Sequence, residues 1–411
     1  MDVKIEPGEV SGTIIAPPSK SMMQRAVALA LLADGTTKIS NPSFCDDSKA
    51  ALEIAKALGA EVIVDGNTVQ ITGSKNLVSS SLDCGESGLC MRMFSPIAAL
   101  FDKEITLTGK GSLMSRPVGM IEEPLRALDA TCKTNNGKPP VVVRGPMKGG
   151  NITVDGSESS QFLTGLLIAL PLCERDSMLS VKNLKSRPYV DMTLQIAREF
   201  GATIVEKDRA FNINGNQQYS ARDCKIEGDW SGAAFLLVAG AIVGNGRLRV
   251  NGLNEDSAQA DKAILTVLDK CNSKSGTLSS FEFDATNCPD LFPPLVALAC
   301  SCIGTSRITG VDRLRHKESD RAAVLIEEFA KIGADIRINE KENALEVTGT
   351  KLKGGTVNSH GDHRIAMACS IAALNATNGV TIQNAECVSK SYNDFFDALR
   401  SLGANITEVK S

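Results

Sequence analysis

The sequence predicts an α/β protein of two lobes, each made of three repeated subdomains, and three observations predict it. The first is a recurring pattern, the end of an apolar helix, then Gly-Ala, then alternating β-type residues. It stands at Gly59-Ala60, Gly201-Ala202, Gly333-Ala334 and Gly403-Ala404, with weaker versions at Asp129-Ala130 and Asp269-Lys270. From 59 through 129, 201, 269 and 333 to 403 the intervals are 70, 72, 68, 64 and 70 residues. Glycine just past a helix accepts the left-handed conformation that closes the last turn. The second observation concerns the residues after the glycines. EVIVDGNTVQITG and DIRINEKENALEVTG read as strand-turn-strand, with Asp65-Gly66-Asn67 supplying the turn in the first. The third is composition. A chain of 411 residues with 43% hydrophobic, 22% charged and 4% aromatic residues is globular, with a core of Leu, Ile, Val and Ala.

Units of this length are too long for a solenoid and suit small α/β subdomains. Six of them suggest two lobes of three, with the active site expected in a cleft. The first lobe is expected over 19–222. The second takes 1–18 plus 223–411, because the polar stretch NGNQQYSAR closes the third repeat and Pro17-Pro18 opens the first helix. Lys20 then falls near a hinge, a position suited to sensing closure.

Taken along the chain, the first informative stretch is Pro17 to Arg25 (PPSKSMMQR), followed by the helical run MMQRAVALALL. Proline disfavours helix at the residue before it, so the helix starts near Ser19 to Ser21. Its N-terminus presents unpaired N–H groups, and Lys20, Ser21 and Arg25 add cations and a hydroxyl, a pattern suited to a phosphate or carboxylate. An ordinary capped helix with solvated cations accounts for the same residues. Asp83 to Arg92 (DCGESGLCMR) forms a loop whose Gly85 and Gly88 permit a tight turn or a close ligand approach. Thr108 to Pro117 (TGKGSLMSRP) ends in Arg116, able to hold a carboxylate bidentately or to decorate a surface, and Pro117 can begin a helix. Ser159, Ser160 and Gln161 precede the apolar run LTGLLIALPL, where capping needs only one of them. Lys185-Ser186-Arg187-Pro188-Tyr189 repeats this logic with an aromatic able to pack on a ring.

Further on, Asp290 stands just before an apolar segment, and RLRHKESDR (313–321) interleaves both charge signs, as a solvated helix start also does. Asp362-His363-Arg364 and Ser389-Lys390-Ser391 add cations. His360, Asp362 and His363 lie in one short loop with no further ligand evident, so no metal is expected. Asp290 and Glu318 are the carboxylates available for proton transfer. There is no P-loop, G-x-S-x-G or H-E-x-x-H motif and no CxxC pair among twelve cysteines. The expectation is chemistry on a multiply anionic substrate pair, with no nucleotide, cofactor or metal.

In this order the residues resemble the 5-enolpyruvylshikimate-3-phosphate synthase family, a branch of the enolpyruvyl transferases. The matches that carry this are P-x-S-K-S-x-x-x-R at 17–25, S-S-Q-F at 159–162, R-x-K-E-S-D-R at 315–321 and D-H-R at 362–364. The resemblance implies a two-lobed inverse α/β barrel closing over its substrates. It also implies transfer of the enolpyruvyl group of phosphoenolpyruvate to the 5-hydroxyl of shikimate 3-phosphate. Carried across, Ser21, Arg25, Ser159, Ser160, Ser186, Tyr189 and Lys317 hold shikimate 3-phosphate. Arg116, Arg321, Arg364 and Lys390 hold phosphoenolpyruvate, with Gly88 leaving room for it, while Lys20 and Gln161 face both. Asp290 orients the 5-hydroxyl and takes its proton, and Glu318 or Lys20 protonates the methylene carbon. Two departures stand out: Glu86-Ser87-Gly88-Leu89 replaces the family's Asn-Ala-Gly-Thr, and Arg313 replaces an asparagine. Glu86 and Arg313 are expected to compensate each other.

The related UDP-N-acetylglucosamine enolpyruvyltransferases share fold and donor, but differ where Lys20-Ser21 and Ser159-Ser160-Gln161 stand. A non-catalytic anion-binding relative would not need both Asp290 and Glu318. RNA-end cyclases share the repeat, yet a net charge of −4 and few aromatics offer no nucleic-acid surface. The N-terminus carries no signal segment and no run approaches a membrane span, so a cytoplasmic monomer without membrane or nucleic-acid partners is expected.

Overall fold

The computed structural model describes residues 1–409 apart from 75, 158, 209 and 272–276; Glu158, in the stretch leading to Ser159, is thus outside the described residues. The chain divides into two compact units, Pro18–Glu227 and Met1–Pro17 with Gly228–Ser411.

The Pro18–Glu227 unit carries helices α1 (Lys20–Leu32), α2 (Asp46–Ala57), α3 (Gly88–Ala98), α4 (Glu122–Ala127), α5 (Ser160–Ala169) and α6 (Arg187–Glu199). They alternate in character. Helices α1, α3 and α5 are apolar on nearly every side and lie inside; all eleven residues of α3 are buried. Helices α2 and α6 bury one face only, α6 through Val190, Met192, Leu194, Ile196 and Ala197. Fully burying a Leu, Met or Phe is worth roughly 1.5–3 kcal/mol, so Leu89, Met91, Met93 and Phe94 alone hold α3 firmly in the core.

Each helix pair belongs to a four-stranded sheet of one recurring order. A parallel pair comes first, then two antiparallel neighbours that form a hairpin. In the second repeat Ser81–Asp83 runs parallel to Glu104–Thr108, which pairs with Lys138–Arg144 and that with Thr131–Asn135. The third is Asn151–Asp155, Ser177–Lys182, Ala210–Ile213, Ile204–Lys207. In the first, Thr36–Ser40, Thr68–Thr72 and Glu61–Asp65 are completed by Cys224–Lys225 from the far end of the unit. That strand, with Tyr219–Ser220 beside Ala33–Asp34, explains where the chain leaves. The expected crossings at 18/19 and 222/223 lie at 17/18 and 227/228, because residues 219–225 are tied into the first repeat.

The other unit carries α7 (Trp230–Val243), α8 (Ile264–Cys271), α9 (Phe292–Cys300), α10 (Arg321–Lys331), α11 (His363–Ala373) and α12 (Phe395–Ser401). Again one set is interior: every residue of α9 and of α11 is buried, and both pack on α7. One sheet orders Glu282–Asp284, Thr305–Thr309, Ala344–Thr348 and Asp335–Asn339. The next orders Gly355–Asn358, Val380–Gln383, Asp2–Ile5 and Ile406–Val409, so the N-terminal strand sits between two strands near the other end of the chain. The remaining described pair is Gly12–Ile15 with Leu248–Asn251.

The repeat is therefore seen as four strands in five sheets and two in the sixth among the described residues. Gly59, Gly201, Gly333 and Gly403 all take positive φ after their helices, and Asp129 does the same at 67°. The weak copy at Asp269-Lys270 is the exception. Without a glycine the helix runs on through it to Cys271. Pro117 also departs from expectation. Its carbonyl accepts from Arg92 and the next N–H groups bond Gly137, so helical turns begin only at Gly119.

Candidate active site

In the Pro18–Glu227 unit the first turns of the three inner helices are linked side chain to side chain. Each is capped by a serine. Ser19 accepts from Met22 N, Ser87 from Cys90 N and Ser159 from Gln161 N. Arg25 on α1 is 1% exposed and gives four of its five N–H bonds to this framework. Nε donates to Thr193 Oγ1 (2.9 Å), Nη1 to Ser21 O (2.8 Å), and Nη2 to Thr164 Oγ1 (3.2 Å) and Tyr189 O (3.3 Å). Desolvation pulls its pKa down to about 10, still charged at neutral pH. Ser186 caps α6 with a left-handed φ of 57°, and its carbonyl accepts from Tyr189 N.

Lys20 Nζ lies 2.9 Å from Asp47 Oδ2, a pair that is largely buried. Gly88 opens α3 against two guanidinium groups. A Cβ there would lie 2.7 Å from Arg116 Nη1 and 2.9 Å from Arg92 Nη1. Arg116 is itself buried. Arg92 donates to Gln161 Oε1 (2.9 Å) and Pro117 O (2.8 Å), binding the starts of α3 and α5 together. The candidates Lys20, Ser21, Arg25, Gly88, Arg116, Ser159, Ser160, Gln161, Ser186 and Tyr189 thus gather at one end of this unit's inner helices. Glu86 finds hydrogen bonds within the same unit: Ser112 N and Oγ both donate to Oε2 at 3.1 Å.

In the second unit Asp290, Lys317, Glu318, Arg321, Arg364 and Lys390 converge. Asp290 Oδ1 accepts from Arg321 Nη1 (2.7 Å) and Lys317 Nζ (3.3 Å), and its Oδ2 lies 3.0 Å from Arg364 Nη2. Arg321, 1% exposed, also reaches Glu318 Oε2 (2.5 Å) and Asp362 Oδ2 (2.7 Å). Asp362 caps α11 through Arg364 N, and Lys390 Nζ donates to Gly361 O at 2.7 Å. Desolvation alone would lower the Arg321 pKa, but Asp362, Glu318 and Asp290 together raise it above the ordinary arginine value. Desolvation pulls Lys317 below the ordinary lysine value against the attraction of Asp290. Buried Asp261 is pushed up to about 6 by desolvation, with Asp290 adding to it. His360 faces Glu328 rather than Asp362 or His363, and the Lys331 ammonium sits on the same carboxylate.

Each unit offers clustered cations at helix starts, suited to anionic oxygens, and in the second unit the carboxylates of Asp290, Glu318 and Asp362 lie among them. Three participants, Asp47, Arg92 and Asp261, have no role in the sequence reading, and Asp362 enters it only within the D-H-R triplet and as a discounted metal ligand. Asp362 and Arg92 stand inside recognisable motifs, but their roles run through side-chain partners dozens of residues away. An arginine one turn after a glycine helix start is the one signal the sequence offers for Arg92.

A family model described as EPSP synthase (3-phosphoshikimate 1-carboxyvinyltransferase) matches residues 5–399. The chain is 40% identical to the 3-phosphoshikimate 1-carboxyvinyltransferase of Clostridium kluyveri, over 99% of this chain and 98% of that one. It is 38% identical to the Clostridium novyi protein of the same name, with the same coverage. The structure superposes on an EPSP synthase from Acinetobacter baumannii with a TM-score of 0.82 at 25% identity, covering 99% of this chain and all of the other.

Proposed function

The chain belongs to the EPSP synthase (3-phosphoshikimate 1-carboxyvinyltransferase) family, and from that premise we propose how its residues divide the work. The reaction moves the enolpyruvyl group of phosphoenolpyruvate to shikimate 3-phosphate, releasing phosphate, in aromatic amino-acid biosynthesis. Ser21, Ser159, Ser160, Ser186 and Tyr189 hold shikimate 3-phosphate at the helix starts, with Gln161 and Lys317. Arg25 contributes its charge and its remaining Nη1 hydrogen. Arg116, Arg321, Arg364 and Lys390 neutralise phosphoenolpyruvate, whose phosphate and carboxylate together need several cations. Gly88 keeps the start of α3 open to Arg116 and to the donor, and Lys20 serves both substrates.

Asp290 takes the proton of the 5-hydroxyl as that oxygen attacks C2 of phosphoenolpyruvate. Glu318 or Lys20 delivers a proton to C3, giving a tetrahedral intermediate. Loss of a proton from its methyl group then expels phosphate and restores the enol double bond. Glu318 is engaged with Arg321, so an arriving anion must draw Arg321 away before Glu318 can act, whereas Lys20 is paired with Asp47. The observation that carries this assignment is the convergence of Arg321, Lys317 and Arg364 on the single carboxylate of Asp290. No helix among the described residues is long and apolar enough to cross a membrane. A monomeric cytoplasmic enzyme fits this reading.

The test is phosphate release from phosphoenolpyruvate with shikimate 3-phosphate, beside UDP-N-acetylglucosamine. Release that depends on shikimate 3-phosphate supports the assignment, and release only with the nucleotide sugar overturns it.

A further inference from the structure

Gln24 is absent from every role above, yet it lies at the centre of the first cluster. It is fully buried on α1, one turn beyond Lys20. Its Nε2 donates to Asp47 O and to Ser87 Oγ, both at 2.9 Å. An amide nitrogen has two hydrogens, so both are committed. Asp47 is the carboxylate that holds Lys20 Nζ. Ser87 is the cap of α3, whose Oγ accepts from Cys90 N beside Gly88. One side chain therefore fixes the holder of Lys20 and the start of the helix that opens at Gly88.

The other end of the amide bears on why a glutamine stands here. Gln24 Oε1 is buried with no hydrogen-bond partner among the described residues. A buried polar atom left unmet is a standing cost that an apolar side chain of the same length would not carry. Core filling therefore does not account for an amide here, whereas the two bonds made by Nε2 do.

We infer that Gln24 is a positioning residue for phosphoenolpyruvate, setting Lys20 through Asp47 and the start of α3 through Ser87. The inference rests on the assignment of Lys20 and Gly88 to that substrate. Gln24 acts at a distance: it touches neither reacting group, and its effect is carried by two elements that both answer to one amide.

Gln24→Met separates positioning from packing, because methionine fills the same volume without donors and removes the unmet oxygen. The expected result is a melting temperature equal to or above that of the parent. Alongside it kcat/KM for phosphoenolpyruvate falls roughly 10- to 100-fold, as misplacement of a binding group by a fraction of an ångström does. The KM for shikimate 3-phosphate, which the serines and Tyr189 hold together with Lys20, rises by a clearly smaller factor, in keeping with a positional effect that falls mainly on one substrate. In an Asp47→Asn background the same substitution should have a smaller effect, since one of its two routes is already gone. Gln24→Asn keeps the amide but withdraws it by one methylene, and should show the same substrate split if the methionine variant does not fold. Unchanged kinetics in both variants, or losses equal for the two substrates and in step with melting temperature, overturn the inference. Parent enzyme that releases no phosphate with shikimate 3-phosphate would instead overturn the reading on which it rests.

Discussion

Replacing Asp290 by asparagine keeps the side chain's shape and removes its charge, and the structure sets the consequence in two parts. The carboxylate now faces Arg321 at 2.7 Å, Arg364 at 3.0 Å and Lys317 at 3.3 Å. Asparagine retains one acceptor, which stays with Arg321, and turns an NH2 toward Arg364. A hydrogen bond to a charged group contributes about 1.5–3 kcal/mol. In the Asp290→Asn variant, arriving phosphoenolpyruvate no longer has to displace that interaction at Arg364. Releasing about 1.4 kcal/mol of it tightens binding roughly tenfold. Chemistry moves the other way, since a lost general base costs about 100- to 10,000-fold in kcat. Titration calorimetry for phosphoenolpyruvate and phosphate release for turnover measure the two parts separately. Weaker phosphoenolpyruvate binding together with nearly unchanged turnover would refute both the competition and the base.

Gly88→Ala should raise KM for phosphoenolpyruvate about tenfold, the scale at which a misplaced binding group is felt, because the new Cβ displaces Arg116 and Arg92; steady-state kinetics show it. Arg321→Met should lower stability in urea by about 3–5 kcal/mol, since it leaves the fully buried Asp362 without its principal cation. Asp261 gives a pH dependence. Its folded pKa of about 6 lies above the ordinary 3.8, so the folded state binds the proton more tightly and stability falls as pH rises between those values. Asp261→Asn should flatten melting temperature across that window and add on the order of 3 kcal/mol above it.

The repeat was legible because it rests on local chemistry: a glycine closes a helix wherever it stands, and a hairpin follows from alternation. Where the local signal weakened, distant structure decided. Asp129 adopted the glycine's conformation while Asp269 stayed helical. The exit of the first lobe could not be read at 222, because residues 219–225 owe their place to strands near residue 36. Among the candidate site residues, cations and serines announce themselves at helix starts. Asp47, Arg92 and Gln24 do not, since each acts by touching another side chain 27 to 69 positions away. A buried hydrogen-bond network has no sequence period.

The strand Asp2–Ile5 lies between Val380–Gln383 and Ile406–Val409, and this orders events on the ribosome. The first strand to emerge must wait for almost the whole chain before either neighbour exists. Residues 18–227 meanwhile form a contiguous stretch whose ends meet at Ser19 N and Glu227 O, so it can close once its own last strand, Cys224–Lys225, has emerged. The unit bearing Asp290 closes last, around a strand made first. A nascent chain thus assembles the helix starts that carry Ser21, Ser159 and Ser160 well before the unit that carries Asp290 can close.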